Sequence, residues 1–514
     1  MNGAESLVRT LIAGGVEVCF TNPGTSEMHI VAALDRAPQM RCVLALFEGV
    51  VSGAADGYAR MTEKPACTLV HLGPGFANSV ANLHNATRAR VPIVNLVGEH
   101  PAEHRKLDAP LTSDIEAIAR PYSKWLKTSR TSTQVGRDAA DAIVAARTPP
   151  GQIATLIVPA DVAWGDGGTG APAPKMPSAA MPAQTSIDRV AAMLKSGNKT
   201  ALLLGGNSAY GRGLTTAGRI AAATGATLIV PYPCTRLERG AGIVAVERVP
   251  YVLEQAQEFL KDFRHLILVG TDAPVAYFAY PGKSPEMAPP SCEIHRLTTA
   301  NEDHVGALEA VVTELNAGAM QVEGAKADRP ALPTGPITHQ GIAAAVAALL
   351  PENAIVSDES MTSGRGLMAA TRGAPRHDWL CNTGGSIGTA IPHAVGAAVA
   401  CPDRQVLCLS ADGSGMYTLQ GLWTIARENL KVTTVIFANH AYAVLKREFA
   451  GLGVGEPGAR AQKLFSIGQP ELEWVALAKG MGVPGQRVTS LEEFTTALRA
   501  GIESGGPSLI EVPL

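Results

Sequence analysis

The sequence predicts an α/β protein built from three doubly wound, parallel-sheet domains. Short apolar strands alternate with Ala-rich helical stretches along the whole chain, as in parallel sheets whose crossovers are helices. Two stretches rich in Gly, Pro and Ala, "GDGGTGAPAPKMPSAAMPAQ" at 165–184 and "AGAMQVEGAKADRPALPTGP" at 317–336, read as surface linkers. They divide the chain into 1–164, 185–318 and 337–514. A length of 514 residues agrees, because one hydrophobic core stops growing well below that size.

Composition narrows the function. With 46% hydrophobic and 17% charged residues the chain is globular rather than disordered. A net charge of −3 carries no polybasic bias, so nucleic acid is not expected as the main partner. The eight cysteines are scattered without a C-x-x-C pair and read as reduced and structural. The opening "MNGAESLVRTLIAGGVEVCF" lacks the form of a signal peptide and reads as an amphipathic helix entering a strand. No apolar run approaches the roughly 18 residues of a membrane span, so a cytoplasmic protein without a membrane partner is expected.

In the first domain, "CVLALFEGVV" (42–51) is apolar at nearly every position yet holds one carboxylate, Glu48. Burying it carries a desolvation cost, which points either to a proton-sharing group or to a residue that merely caps a helix. His71 ends the apolar run "CTLVH" and precedes "LGPG"; loops at the carboxyl ends of strands are where α/β sites form. In the central domain, "TALLLGGNSAYGRG" (200–213) is a strand followed by glycines. It gives no clean G-x-G-x-x-G match, and an ordinary strand-to-helix turn is the better reading.

The third domain carries the most specific signal, "RQVLCLSADGSGMYTLQGLWTIARENLKVTTVIFANHAY" (404–442). It reads as strand 405–410, loop, helix 417–430 and strand 432–438. In a right-handed βαβ unit both strands end on one edge of the sheet, so Asp412 and Asn439 converge. One carboxylate and one amide oxygen are hard donors that suit Mg2+, especially beside a phosphate. Gly413, Ser414 and Gly415, at a helix start, leave room for a phosphate to meet backbone N–H groups.

"DGSGMYTLQGLWTIARENL…VIFANHAYAVL" resembles the cofactor motif of the thiamine diphosphate (ThDP) enzymes, with Ala411 in place of the usual first Gly. "LALFEGVVSGAADGYARMTEKPACTLVHLGPGFANSVANLHNATRARVPIVNLVGEH" resembles the pyrimidine-binding domain of the decarboxylase and acetolactate synthase group. "FTNPGTSE" (20–27) is most similar to the benzoylformate decarboxylases. The resemblance implies that Asp412, Asn439 and the Ala441 carbonyl hold Mg2+. It places Gly413, Ser414, Asn439 and Tyr442 at the diphosphate, and Glu48 at N1′ of the aminopyrimidine. It makes Gly385 the carbonyl acceptor for the 4′-amine and Ile387 the apolar wedge that bends the cofactor; a plain core Ile is the alternative. His71 becomes a proton-transfer group and Thr25 a hydroxyl for the substrate carboxylate.

The implied reaction is decarboxylation of a 2-oxoacid, followed by release of an aldehyde or by ligation to a second carbonyl. A second histidine, supplied by the central domain in benzoylformate decarboxylases, is missing from "APVAYFAYPG" (273–282), where Phe278 or Ala279 stands. A weakened proton relay for aldehyde release is expected, which favours carboligation or an unfamiliar substrate. Acetolactate synthase is the alternative, although no flavin loop is evident and FAD is not expected. A non-catalytic ThDP-binding relative and a nucleotide-linked oxidoreductase using the 205–213 loop are remoter. The resemblance also implies active sites shared between chains, hence a homodimer or homotetramer.

Overall fold

The computed structural model describes residues 1–514. Its strands form three sheets. The first holds six parallel strands in the order Arg41–Leu44, Val18–Asn22, Ala66–Val70, Ile93–Glu99, Ile153–Pro159, Trp125–Thr128. The second has five parallel strands, centred on Thr200–Leu204 and His265–Val269. The third has seven: Gly485–Arg487, Ser508–Pro513, Val432–Ala438, Val406–Ala411, Ala354–Glu359, His377–Cys381 and Arg236–Arg239. The central strands are buried on both faces, which is why they read as unbroken apolar runs. No helix is long and apolar enough to cross a membrane.

One edge departs from the parallel pattern. Arg236–Arg239 leaves the central segment and pairs antiparallel with His377–Cys381 of the third sheet. Asp378 fixes it there, bonded by Arg236 at 2.7 Å and by Arg404 at 2.6 Å. The added strand covers what would otherwise be an open sheet edge.

Each sheet has an interior point where chain order reverses, and ligands of doubly wound folds bind at such reversals. In the first sheet the reversal lies between Val18–Asn22 and Ala66–Val70, which deliver the 23–27 turn and His71 to one crevice. In the third it lies between Ala354–Glu359 and Val406–Ala411, which deliver Glu359 and Asp412. The second sheet's crevice is filled by protein. His304 lies against Gly206 and Gly270, and Arg90 bonds the Gly270 carbonyl at 3.4 Å and Asp272 at 3.0 Å.

The outer sheets are locked together by two helices, Glu48–Thr62 and Ala390–Ala400, which share one apolar cluster. Their backbones meet. A Cβ at Gly396 would collide with the Ala54 carbonyl, and one at Gly57 with the His393 backbone. Inside this contact Asp56 binds Arg60 at 2.7 Å and His393 at 2.8 Å, all buried. Burial pushes the Asp56 carboxyl up, but Arg60 and His393 outweigh it and bring it down to about 2. Gly396→Ala is therefore expected to lower Tm by several degrees, on the scale of the ~1–3 kcal/mol that overpacking costs. Gly318→Ala, in open space, is the control. An unchanged Tm for Gly396→Ala, by thermal melting, would contradict the close helix contact.

Candidate active site

At the first crevice, Glu48 opens the Glu48–Thr62 helix and is only 8% exposed. One carboxylate oxygen accepts from Asn78 Nδ2 at 2.9 Å. The other faces Gly75, where a Cβ would come within 3.2 Å. Gly75 also borders His71, so the two side chains flank the same small space. His71 precedes the Leu72–Ala89 helix, and the chain turns there through a left-handed Leu72 at φ 52. Such strain in a bulky residue persists only where the surroundings enforce it.

His71 Nδ1 lies 2.8 Å from Glu27 Oε2, which also accepts from the Gly24 amide at 2.7 Å. Gly24 packs so tightly on the imidazole that a Cβ would collide with it. Glu27 is 0% exposed, and its Oε1, pressed against Gly98, has no partner. Burial pushes its carboxyl up, against the pull of Gly24 and His71. Thr25 is exposed, and its hydroxyl makes no hydrogen bond within the chain.

The third-sheet crevice holds a second group. Asp412 is 1% exposed, with Oδ1 accepting from the Gly413 amide at 2.8 Å and Oδ2 from the His440 amide at 2.7 Å. Burial raises its carboxyl; the two amides pull the other way. Asn439 Oδ1 accepts from the Ala441 amide at 3.0 Å and its Nδ2 reaches Ser363. The Ala441 carbonyl accepts no hydrogen bond within the chain. Ser414 is buried, and the Tyr442 ring lies against Gly413 where a side chain would otherwise stand. His440 acts through its backbone, held at φ 54.

The helix expected at 417–430 is shorter. A turn at Asp412–Gly415 is followed by Gly421–Arg427; between them the backbone runs in tighter turns, the Tyr417 and Thr418 amides donating to Ser414 and Gly415 at 3.2 Å, while the Thr418 hydroxyl donates to the Gly388 carbonyl at 2.9 Å. The long helix dipole expected behind Gly413 and Ser414 is thus absent, leaving a single turn of backbone amides.

A third group is the 382–390 loop. Gly385 is left-handed at φ 81, and its carbonyl accepts nothing within the chain. Ile387 is half-buried and stands outside the packed apolar clusters, so it is not a plain core residue. Asn82 Nδ2 ties this loop to the first group, donating to the Gly49 carbonyl at 2.8 Å and to that of Gly388 at 3.3 Å. Asn85 holds Ser386 and Thr389. No hydrogen bond within the chain joins Glu48, His71 or Thr25 to Asp412, Asn439 or Tyr442.

Sequence reasoning missed four residues here. Asn78 and Asn82 lie one turn apart on a single helix face, a polar stripe that periodicity could have revealed. Glu27 lay inside a stretch already singled out. Glu359 had no local signal. From the central domain, the Tyr277 ring stands 3.7 Å from where a Gly385 Cβ would be, and Tyr277, Phe278 and Ala279 are all exposed.

Residues 1–119 match the family model for the N-terminal TPP binding domain of thiamine pyrophosphate enzymes, and residues 363–512 that for the C-terminal TPP binding domain. "Putative acetolactate synthase large subunit IlvX" of Mycobacterium tuberculosis is 53% identical over 513 residues, spanning 100% of this chain and 99% of the relative. Benzoylformate decarboxylase of Pseudomonas aeruginosa is 28% identical over 97% of this chain and 96% of its own. The structure of a thiamine diphosphate-dependent 4-hydroxybenzoylformate decarboxylase from Rhodococcus jostii RHA1 superposes with a TM-score of 0.85 at 23% identity, covering 100% and 99% of the two chains, and so shows the same fold.

Because burial holds the Glu27 carboxyl above its usual range, its ionised form costs stability at alkaline pH. Glu27→Gln is expected to keep or raise Tm at pH 8. A fall of several degrees in a melting experiment would make the carboxylate a structural requirement.

Proposed function

This chain belongs to the thiamine pyrophosphate enzymes, within the decarboxylase and acetolactate synthase group, and we propose that it is a ThDP- and Mg2+-dependent 2-oxoacid decarboxylase with carboligase capacity. The observation that carries the metal reading is the Asp412 carboxylate locked by the His440 amide, beside the Asn439 oxygen and the unbonded Ala441 carbonyl. Three hard oxygens suit Mg2+, which keeps waters and phosphate oxygens for its other positions. Gly413, Ser414 and the Tyr442 ring would enclose the diphosphate.

When bound, ThDP supplies the electron sink that lets a 2-oxoacid lose CO2. The chain's own residues hold and move protons around it. Glu48, steered by Asn78, would share a proton with N1′ of the aminopyrimidine. The free Gly385 carbonyl would accept from the 4′-amine, with Ile387 as an apolar wall. His71, its Nδ1 engaged by Glu27, keeps Nε2 for proton transfer at the substrate, and the Thr25 hydroxyl would bind the substrate carboxylate.

Carboligation of the acetolactate synthase kind is the second reading, favoured by the lack of a histidine in 273–282. Neither reading calls for a flavin. Met28 and Leu46 are exposed beside the first group and Met361 and Tyr417 beside the others, as suits an active site completed by a second copy in a homodimer or homotetramer.

The test is a panel of aromatic and aliphatic 2-oxoacids, with and without aldehyde acceptors, read as CO2, aldehyde and ligation product. Aldehyde release supports the first reading and ligation alone the second; turnover of no acid contradicts both. Glu48→Gln is expected to abolish turnover while ThDP still binds, measured by titration and steady-state assay; normal activity would refute its role. His71→Ala is expected to slow turnover by roughly 10²–10⁴-fold, the range of a lost acid–base group. An unchanged rate would leave His71 structural.

A further inference from the structure

Glu359 ends the Ala354–Glu359 strand at the third-sheet crevice and is 2% exposed. No Lys, Arg or His pairs with it. Its partners all belong to one loop: the Gly388 amide at 3.1 Å from each oxygen, the Thr389 amide at 2.8 Å, the Ala390 amide at 3.2 Å and Asn382 Nδ2 at 3.0 Å. Asn382 extends the hold. Its Oδ1 accepts from the Gly385 amide at 2.8 Å and its Nδ2 donates to the Ser386 carbonyl at 2.7 Å. One carboxylate thus grips both feet of the 382–390 loop, whose left-handed Gly385 and Gly388 let its amides turn inward.

A buried carboxylate without a cation is costly, and helix capping alone needs only a Ser, Thr, Asp or Asn beside the first turn. Here the side chain comes from a different strand and spans a loop. An amide in its place would offer one acceptor oxygen where two are used, and would set an NH2 against backbone N–H groups. Burial pushes the Glu359 carboxyl up to about 7 while the loop amides and Asn382 pull it down.

We propose that Glu359 is a positioning residue, which holds the 382–390 loop in the one shape that presents the Gly385 carbonyl and Ile387 to the aminopyrimidine. This rests on the ThDP reading of the site. It assigns to Glu359 an effect on the activation of bound cofactor rather than on its retention, because the metal and diphosphate residues Asp412, Gly413, Ser414, Asn439, Ala441 and Tyr442 make no hydrogen bond to this carboxylate.

The experiment compares wild type, Glu359→Gln, Glu359→Asp and Asn382→Ala, each saturated with ThDP and Mg2+. Wild-type binding and turnover are measured first, since failure there defeats the ThDP reading and not the role of Glu359. With an active wild type, Glu359→Gln is expected to keep ThDP affinity within about tenfold while kcat falls by roughly 10²-fold, the penalty of misplacing groups by about 1 Å. The near-ultraviolet circular dichroism of the bound aminopyrimidine is expected to change with it. Asn382→Ala, which leaves the buried carboxylate in place, is expected to move kcat the same way by less, and Glu359→Asp to recover part of the loss. An unchanged kcat in Glu359→Gln, or a loss explained entirely by empty sites or unfolding while Asn382→Ala is fully active, would overturn the proposal.

Discussion

Everything at the candidate site depends on the contact between the Glu48–Thr62 and Ala390–Ala400 helices. The contact is steric before it is energetic. Gly57 and Gly396 let two backbones meet where any side chain would hold them apart. The buried Asp56–Arg60–His393 group then fixes the pair, because removing one partner would leave an uncompensated buried charge, at a cost of about 3–5 kcal/mol. One helix begins with Glu48 and the other follows the 382–390 loop. Their packing therefore sets the first-domain carboxylate in register with the third-domain loop, and Asn82 joins the two by bonding both backbones.

Besides Asp56, the candidate site holds four buried carboxylates: Glu27, Glu48, Glu359 and Asp412. Each is held differently, and the holding groups separate their tasks. Glu27 faces an imidazole, Glu48 a single amide side chain, Asp412 two backbone amides, and Glu359 a loop's worth of N–H groups. Lone pairs are left open on Glu48, Asp412 and the Ala441 and Gly385 carbonyls, where the proposed cofactor and metal would find partners; the unpartnered Glu27 Oε1 is pressed against Gly98 instead. Where none is left open, as on Glu359, the carboxylate works on the protein itself.

The sheets and the third-domain constellation were legible because they are local. Parallel strands buried on both faces read as apolar runs, and Asp412 and Asn439 close adjacent strands whose register sets Ala411 beside Phe437. What could not be read was made by distant pairing. Arg236–Arg239 completes a sheet nearly 140 residues downstream, and only that pairing shows why Asp378 lies between two arginines. Glu359 looked like any strand end until the loop folded over it. The third-domain helix is shorter because residues 416–420 run as tight three-residue turns, which residue type alone did not show.

The central claim is that a divalent ion on Asp412 tethers a thiazolium coenzyme. Its most direct measurement is calorimetric titration of metal-stripped protein with ThDP, with and without Mg2+, on wild type and Asp412→Ala. The account predicts binding to wild type that strengthens sharply with Mg2+, and loss of that gain in the variant. Equal binding with and without the ion, or a variant that keeps the full gain, would contradict it.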